Sequence, residues 1–299
     1  MHESLFLGPH GENAGFFRQI WGELLQRTLE HRAGTFPGDG SLAISAPVGE
    51  QIRRVEREIE NFFTILQQEV PTFSNRYLGH MISDVSIPAL IGNAAVLFCN
   101  PNLASKEVAS AGLQLEMQAI NELARMIGLD PTAARGHFTS GGTVANFEAF
   151  WRARFRLDHW LSMGAWLLEK GHSDKPIFEL AHLGWDSFYR NCERFGVDIA
   201  ELAERSYVVQ GPWDIASYYR DTLQRDFPQP VILVPGNKHY SWPKSANIFG
   251  ISEKAIWPTE LDRYGRVSIA SLRRNIEQAR RQQRPIMMSV SVAGTTELG

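Results

Sequence analysis

Val231-Ile232-Leu233-Val234-Pro235-Gly236 is a short, β-branched apolar run closed by a turn-forming pair. It is too short for a helix and reads as a buried strand that ends at Pro235-Gly236. Helical patterns lie on both sides of it. Downstream, the spacing predicts a helix through Trp242 to Gly250, a short strand over Lys254 to Trp257, a polar amphipathic helix over Ser268 to Gln282 and a second good strand over Ile286 to Val292. Upstream, one helix follows Gly142 and another begins near Trp185. Strands separated by helices specify a parallel α/β sheet with buried strands.

The chain ahead of this region reads differently. Phe16 to Leu25 has apolar residues at helical spacing, and Gly34-Thr35-Phe36-Pro37-Gly38-Asp39-Gly40 breaks the pattern. From about Gly49 to Gln68, Ile52, Val55, Ile59, Phe62, Phe63 and Leu66 share one helical face opposite charged residues. Another long helix is expected from Ser105 to Ile127, broken by Gly128 and Asp130-Pro131. The expected organisation is a helical N-terminal segment over 1–104, followed by an α/β domain over 105–299. No internal repeat or low-complexity segment interrupts it.

Composition narrows the function classes. The 299 residues are 43% hydrophobic and 21% charged, an ordinary globular composition with enough chain for a substantial core. A net charge of -3 leaves no basic footprint for nucleic acid. No run approaches the roughly 18 consecutive apolar residues of a membrane span. The N-terminus lacks the pattern of a secretory signal. Cys99 and Cys192 are too few for a disulfide framework, so a cytoplasmic, reducing setting is expected. No metal site is expected.

Three segments carry chemistry. In Phe138-Thr139-Ser140-Gly141-Gly142-Thr143-Val144-Ala145-Asn146, small residues and two glycines lead straight into a helix. Backbone N–H groups at such a start, with the helix dipole behind them, make a cradle for phosphate. The same pattern also fits a plain capped turn with Ser140 or Thr143 as N-cap. It is neither of the common nucleotide-loop signatures. In Lys238-His239-Tyr240-Ser241-Trp242-Pro243-Lys244-Ser245-Ala246, His239 falls just past the strand, at the rim where α/β sheets bind ligands. Imidazole can lie against a conjugated ring and exchange a proton near neutral pH, although a loop histidine can equally be structural. Lys238 and Lys244 read as surface lysines. Ser291-Val292-Ala293-Gly294-Thr295-Thr296, a strand end with two hydroxyls, is weak alone and gains weight from coming third in order.

Together these segments resemble the group II pyridoxal-phosphate decarboxylases, which include tyrosine, aromatic-amino-acid and glutamate decarboxylases. Arg76-Tyr77-Leu78-Gly79-His80-Met81-Ile82-Ser83-Asp84-Val85-Ser86-Ile87-Pro88-Ala89 and Asn100-Pro101-Asn102 fit as well, and the motif variants are most similar to bacterial tyrosine decarboxylases. The resemblance runs from about Arg76 to the C-terminus. It implies a fold-type I, transferase-like α/β architecture and the cofactor pyridoxal 5'-phosphate. It places the cofactor phosphate at Gly142, Thr143 and Val144, the ring-stacking histidine at His239, and a threonine near the ring at Thr296. His80 and Asp84 fall in a segment that approaches the substrate pocket.

The family's aspartate for the pyridine nitrogen and its Schiff-base lysine have no counterpart in this sequence, which stops at the rim of the site. The expectation is therefore an incomplete large domain, inactive by itself. Its apolar surface would be exposed, and a C-terminal half, separate or cleaved, would complete it. The resemblance also implies a homodimer of the complete unit and a small amino-acid substrate, L-tyrosine or a relative first and glutamate or a diamino acid next. A non-catalytic scaffold and a decarboxylating aldehyde synthase are the alternatives.

Overall fold

The computed structural model describes residues 3–38, 40, 45–79, 82 and 84–295. They fall into two compact units, Met1–Gly136 and His137–Gly299.

The first unit is helical: α1 (Ala14–Thr35), α2 (Gly49–Leu66), α3 (Ile87–Cys99) and α4 (Lys106–Met126). The periodic patterns predicted α1, α2 and α4. α4 is kinked at Ala109, whose φ of -141° and ψ of 50° leave the helical region. α3 was not foreseen as a helix. Its sequence, IPALIGNAAVLFC, is apolar nearly throughout, so it has no polar face to mark a helical period. On α2 the predicted apolar face forms, yet Ile52, Val55, Ile59, Phe62, Phe63 and Leu66 are all exposed.

The second unit is a three-layer arrangement around a small parallel sheet. Its elements are α5 (Gly142–Glu169), α6 (Ile177–Leu180), α7 (Trp185–Phe195), α8 (Ile199–Leu202), α9 (Pro212–Asp221), β1 (Val231–Pro235), α10 (Ser241–Ile248), β2 (Ile256–Thr259), α11 (Ile269–Arg281) and β3 (Ile286–Ser289). The strand order is β2-β1-β3, and both pairings are parallel. β1 is central and buried at every position, which is why its sequence is continuously apolar. Its residues alternate between two faces. Ile232 and Val234 pack with Phe150, Leu157 and Leu161 of α5 and Trp242 of α10, whereas Val231 and Leu233 pack with Ala279 of α11.

Both flanking strands are displaced or shortened relative to the sequence reading. Over Lys254 to Trp257, the Ser252 hydroxyl accepts from the Lys254 N–H at 3.2 Å, and Glu253–Ala255 winds into a 3-10 turn. β2 begins only at Ile256, where it meets Ile232. β3 stops at Ser289 rather than Val292. Val290 N–H still reaches Leu233 O at 2.8 Å. Beyond that, Pro235 has no N–H to donate, and Gly236 N–H bonds Thr259 O of β2 at 3.0 Å, on the other side of β1.

α5 is the spine of this unit. Gly164 lets α6 approach it: a Cβ there would lie 2.8 Å from the Leu180 Cβ. Two polar networks anchor α5 to the chain beyond α8. Asp158 accepts from the Ser206 hydroxyl at 2.6 Å and from Val208 N–H at 3.2 Å. Burial pushes its carboxyl up, against the pull of those donors. Glu169 accepts from the Tyr218 hydroxyl at 2.6 Å and from Arg205 Nε at 2.8 Å. Burial also raises this carboxyl, but the Tyr218 and Arg205 bonds outweigh it and hold it below the usual range.

The two shifts have opposite consequences. Stability carried by Glu169 is present at neutral pH and is lost as pH falls through the glutamate range. Stability carried by Asp158 is present at low pH and is lost as pH rises through its raised pKa. Tyr218→Phe should therefore cost about 1.5–3 kcal/mol at neutral pH and progressively less in acid, as Glu169 becomes protonated. Urea unfolding at neutral and acid pH measures this. A cost independent of pH would rule out the charged hydrogen bond as its source.

Candidate functional site at the carboxyl end of the central strand

Among the described residues, no side chain caps the start of α5. Gly141 is the N-cap residue, and neither Ser140 nor Thr143 caps the helix, so the plain-capped-turn reading does not hold. The Thr139 hydroxyl instead donates to Gly141 O at 3.0 Å. The first helical bond runs from Ala145 N–H to Gly141 O at 3.0 Å. The N–H groups of Gly142, Thr143 and Val144 precede it and have no helical acceptor. Among the described residues, nothing lies within 4 Å of where a Cβ would stand on Gly141 or Gly142. Open glycines, unused donors and the dipole of a 28-residue helix suit an anionic group such as a phosphate.

β1 delivers the second component. After Pro235 the chain turns and reaches His239, an exposed residue just before α10. The Tyr240 ring lies beside the imidazole, with centroids 4.1 Å apart and planes 35° apart. Lys244 is exposed, with its ammonium 4.7 Å from the Tyr240 ring centroid, whereas Lys238 is half-buried rather than a plain surface lysine.

The two components meet. Asn146 Nδ2, one turn into α5, donates to the Ser241 hydroxyl at 2.8 Å, and that hydroxyl lies 2.9 Å from His239 Nδ1. Phe147 and Phe150 pack on Phe249 behind this contact, Phe150 nearly parallel to it at 5.2 Å. The open helix start and the rim histidine therefore share one bonded cluster at the carboxyl end of β1.

Three polar residues of this region were not singled out from sequence: Asn146, Ser241 and Glu148. The first two stand inside the quoted motifs, but only the fold shows that they touch. Glu148 faces His137 Nε2 at 2.6 Å and Arg152 Nε at 3.2 Å. Partial burial raises its carboxyl, and those two partners more than reverse that, so it is held below the usual range.

Of His80, Asp84 and Thr296, Asp84 alone lies among the described residues. Asp84 is half-buried in the first unit, where its Oδ1 accepts from Val85 N–H at 2.9 Å. His80 and Thr296 lie outside the described residues.

Over 307 aligned residues the chain is 29% identical to an L-tyrosine decarboxylase of Levilactobacillus brevis, covering 99% of this chain and 46% of that one. It is a homologue of the group II pyridoxal-phosphate decarboxylases. An L-tyrosine decarboxylase of Enterococcus faecalis is 25% identical over 303 residues, 99% of this chain and 46% of the relative. An aspartate 1-decarboxylase of Aliivibrio fischeri is 26% identical over 247 residues, 79% and 37% of the two chains. No family model matches. The chain spans about half the length of the curated relatives it matches. Among solved structures, mouse CSAD in its apo form superposes with a TM-score of 0.50 at 15% identity, covering 89% of this chain and 47% of that one. This likeness is one of fold, the fold-type I arrangement of mostly helical layers on a parallel sheet.

Proposed function

We propose that these 299 residues form the N-terminal part of a pyridoxal-phosphate-dependent decarboxylase acting on an L-amino acid, L-tyrosine or another aromatic by first preference. The observation that carries this reading is the bonded cluster linking the open start of α5 to His239 through Asn146 and Ser241. In the reaction the bond between Cα and the carboxylate breaks, CO2 leaves, and a proton takes its place to give a primary amine. When bound, the cofactor supplies the electron sink for that bond cleavage.

The chain's own residues have defined parts in this proposal. The N–H groups of Gly142, Thr143 and Val144, with the Thr143 hydroxyl, hold the phosphate. His239 lies against the ring and holds a proton beside the substrate. Thr296 sits near the ring, and His80 and Asp84 contribute to the substrate pocket. The lysine that carries the cofactor and the aspartate for its ring nitrogen come from sequence outside these 299 residues, in a second polypeptide. Residues 1–104 contribute to dimerisation, and the exposed apolar face of α2 supports that role. The free thiols of Cys99 and Cys192 are compatible with a cytoplasmic setting.

The test is absorbance. Purified with a C-terminal half carrying the lysine, the assembly should acquire a visible band with pyridoxal phosphate that borohydride abolishes. It should release amine and CO2 from L-tyrosine without hydrogen peroxide. No band would exclude the enzyme, and peroxide would indicate an aldehyde synthase.

Gly142→Pro probes the cradle by itself. Proline is favoured at the first helical position and needs no N–H there, so α5 should form normally. One donor to the phosphate is lost, and cofactor affinity should fall about 10- to 100-fold, the range expected for a hydrogen bond to a charged group. Unchanged affinity would move the phosphate elsewhere.

A further inference from the structure

We infer that Asn146 and Ser241 form a directional relay that fixes His239 in the tautomer with its proton on Nε2. The inference rests on the reading of His239 as the residue beside the cofactor ring, and it concerns how that ring is set before any ligand arrives.

The direction follows from counting hydrogens. The Ser241 hydroxyl has one proton to give. It already receives a proton from Asn146 Nδ2 at 2.8 Å, so its own proton is available for the partner on its other side, His239 Nδ1 at 2.9 Å. The backbone N–H of Ser241 points at the same nitrogen from 3.2 Å. Two donors converge on Nδ1, which must then be unprotonated. In a neutral imidazole the proton is left on Nε2.

The relay is built into the core rather than laid on the surface. Ser241 is 0% exposed. Its carbonyl accepts from the hydroxyl of Ser245, also buried, at 2.8 Å, which pins the first turn of α10. A buried serine hydroxyl has no water to exchange with, so its orientation is decided by Asn146 and His239. Asn146 is on the helix whose open N-terminus we assign to phosphate. The same helix therefore orients the phosphate donors and the proton on His239. Asn146 and Ser241 are positioning residues, acting through the imidazole.

Long-range proton–nitrogen spectra of the full 299-residue chain labelled with 15N-histidine read the tautomer directly, with the His239 signal assigned by its loss in His239→Gln. The wild-type chain should show Nε2–H. In Asn146→Asp the side chain keeps its shape but can only accept, so the Ser241 proton turns toward it and away from Nδ1. The ratio of Nε2–H to Nδ1–H should then fall about fivefold, the worth of one ordinary hydrogen bond. Ser241→Ala should produce a similar fall. If that buried substitution does not fold, Asn146→Asp, at a half-buried site, still decides the matter.

A wild-type Nδ1–H tautomer, or a ratio unmoved by Asn146→Asp, would overturn the relay. The cofactor reading is tested separately by absorbance. A responsive tautomer in an assembly that takes up no pyridoxal phosphate keeps the relay and removes the decarboxylase. Cofactor uptake with an unresponsive tautomer does the reverse.

Discussion

His239→Phe, assayed in the complete assembly, is expected to keep pyridoxal phosphate within a few-fold and to lose amine production by about 10²- to 10⁴-fold, the usual worth of a positioned proton-transfer group. The flat ring survives the substitution, so its stacking area survives. The proton at Nε2 does not. His239→Ala removes both and should weaken cofactor binding in addition to abolishing turnover. The pair separates the two roles that the position of His239 at the rim of β1 permits. Turnover in the phenylalanine variant close to wild type would show that stacking alone is the contribution of His239, leaving the relay through Ser241 without a catalytic purpose.

The second large effect is on stability. Phe150→Ala should cost about 3–5 kcal/mol, the range for truncating a fully buried aromatic. Phe150 is 0% exposed, lies 5.2 Å from the Phe249 ring at a 12° interplanar angle, and packs with Ile232 and Val234 of β1. Domain stabilities are about 5–15 kcal/mol, so this is a large share of the total. The loss should appear as a lower urea midpoint for the second unit. Trp151→Ala, on the next residue but 50% exposed, should stay within about 0.5 kcal/mol. Phe150 joins α5 to the segment following α10, so its loss should also loosen the Asn146–Ser241 bond and reduce cofactor uptake beyond what unfolding explains. Equal costs for the two variants would mean that α5 is not packed as described.

The features legible in the sequence are local ones. The run Val231–Val234 was readable as a buried strand because every residue is apolar and Pro235-Gly236 closes it. α2 and α11 were readable because their apolar residues recur at the helical period. α3 escaped because a helix that is apolar all round has no period to find. The start of β2 escaped because Ser252 caps a 3-10 turn over Glu253–Ala255, and the end of β3 because a strand stops where its neighbour has nothing left to pair, the lost donor at Pro235 belonging to a different strand.

The same division runs through the site. The unused N–H groups at Gly142, Thr143 and Val144 were foreseeable, since they follow from where a helix starts and from the absence of a bulky residue there. The position of His239 at a sheet rim followed from chain order alone. The motifs, taken in order, also carried the likeness to the group II decarboxylases. Only the tertiary structure decided that Asn146 meets Ser241 across 95 residues of sequence, and with that which nitrogen of His239 holds the proton. Helix starts and strand runs are set by neighbours a few residues apart. The direction of a buried hydroxyl is set by whichever groups the fold brings within 3 Å of it, and no local pattern specifies them.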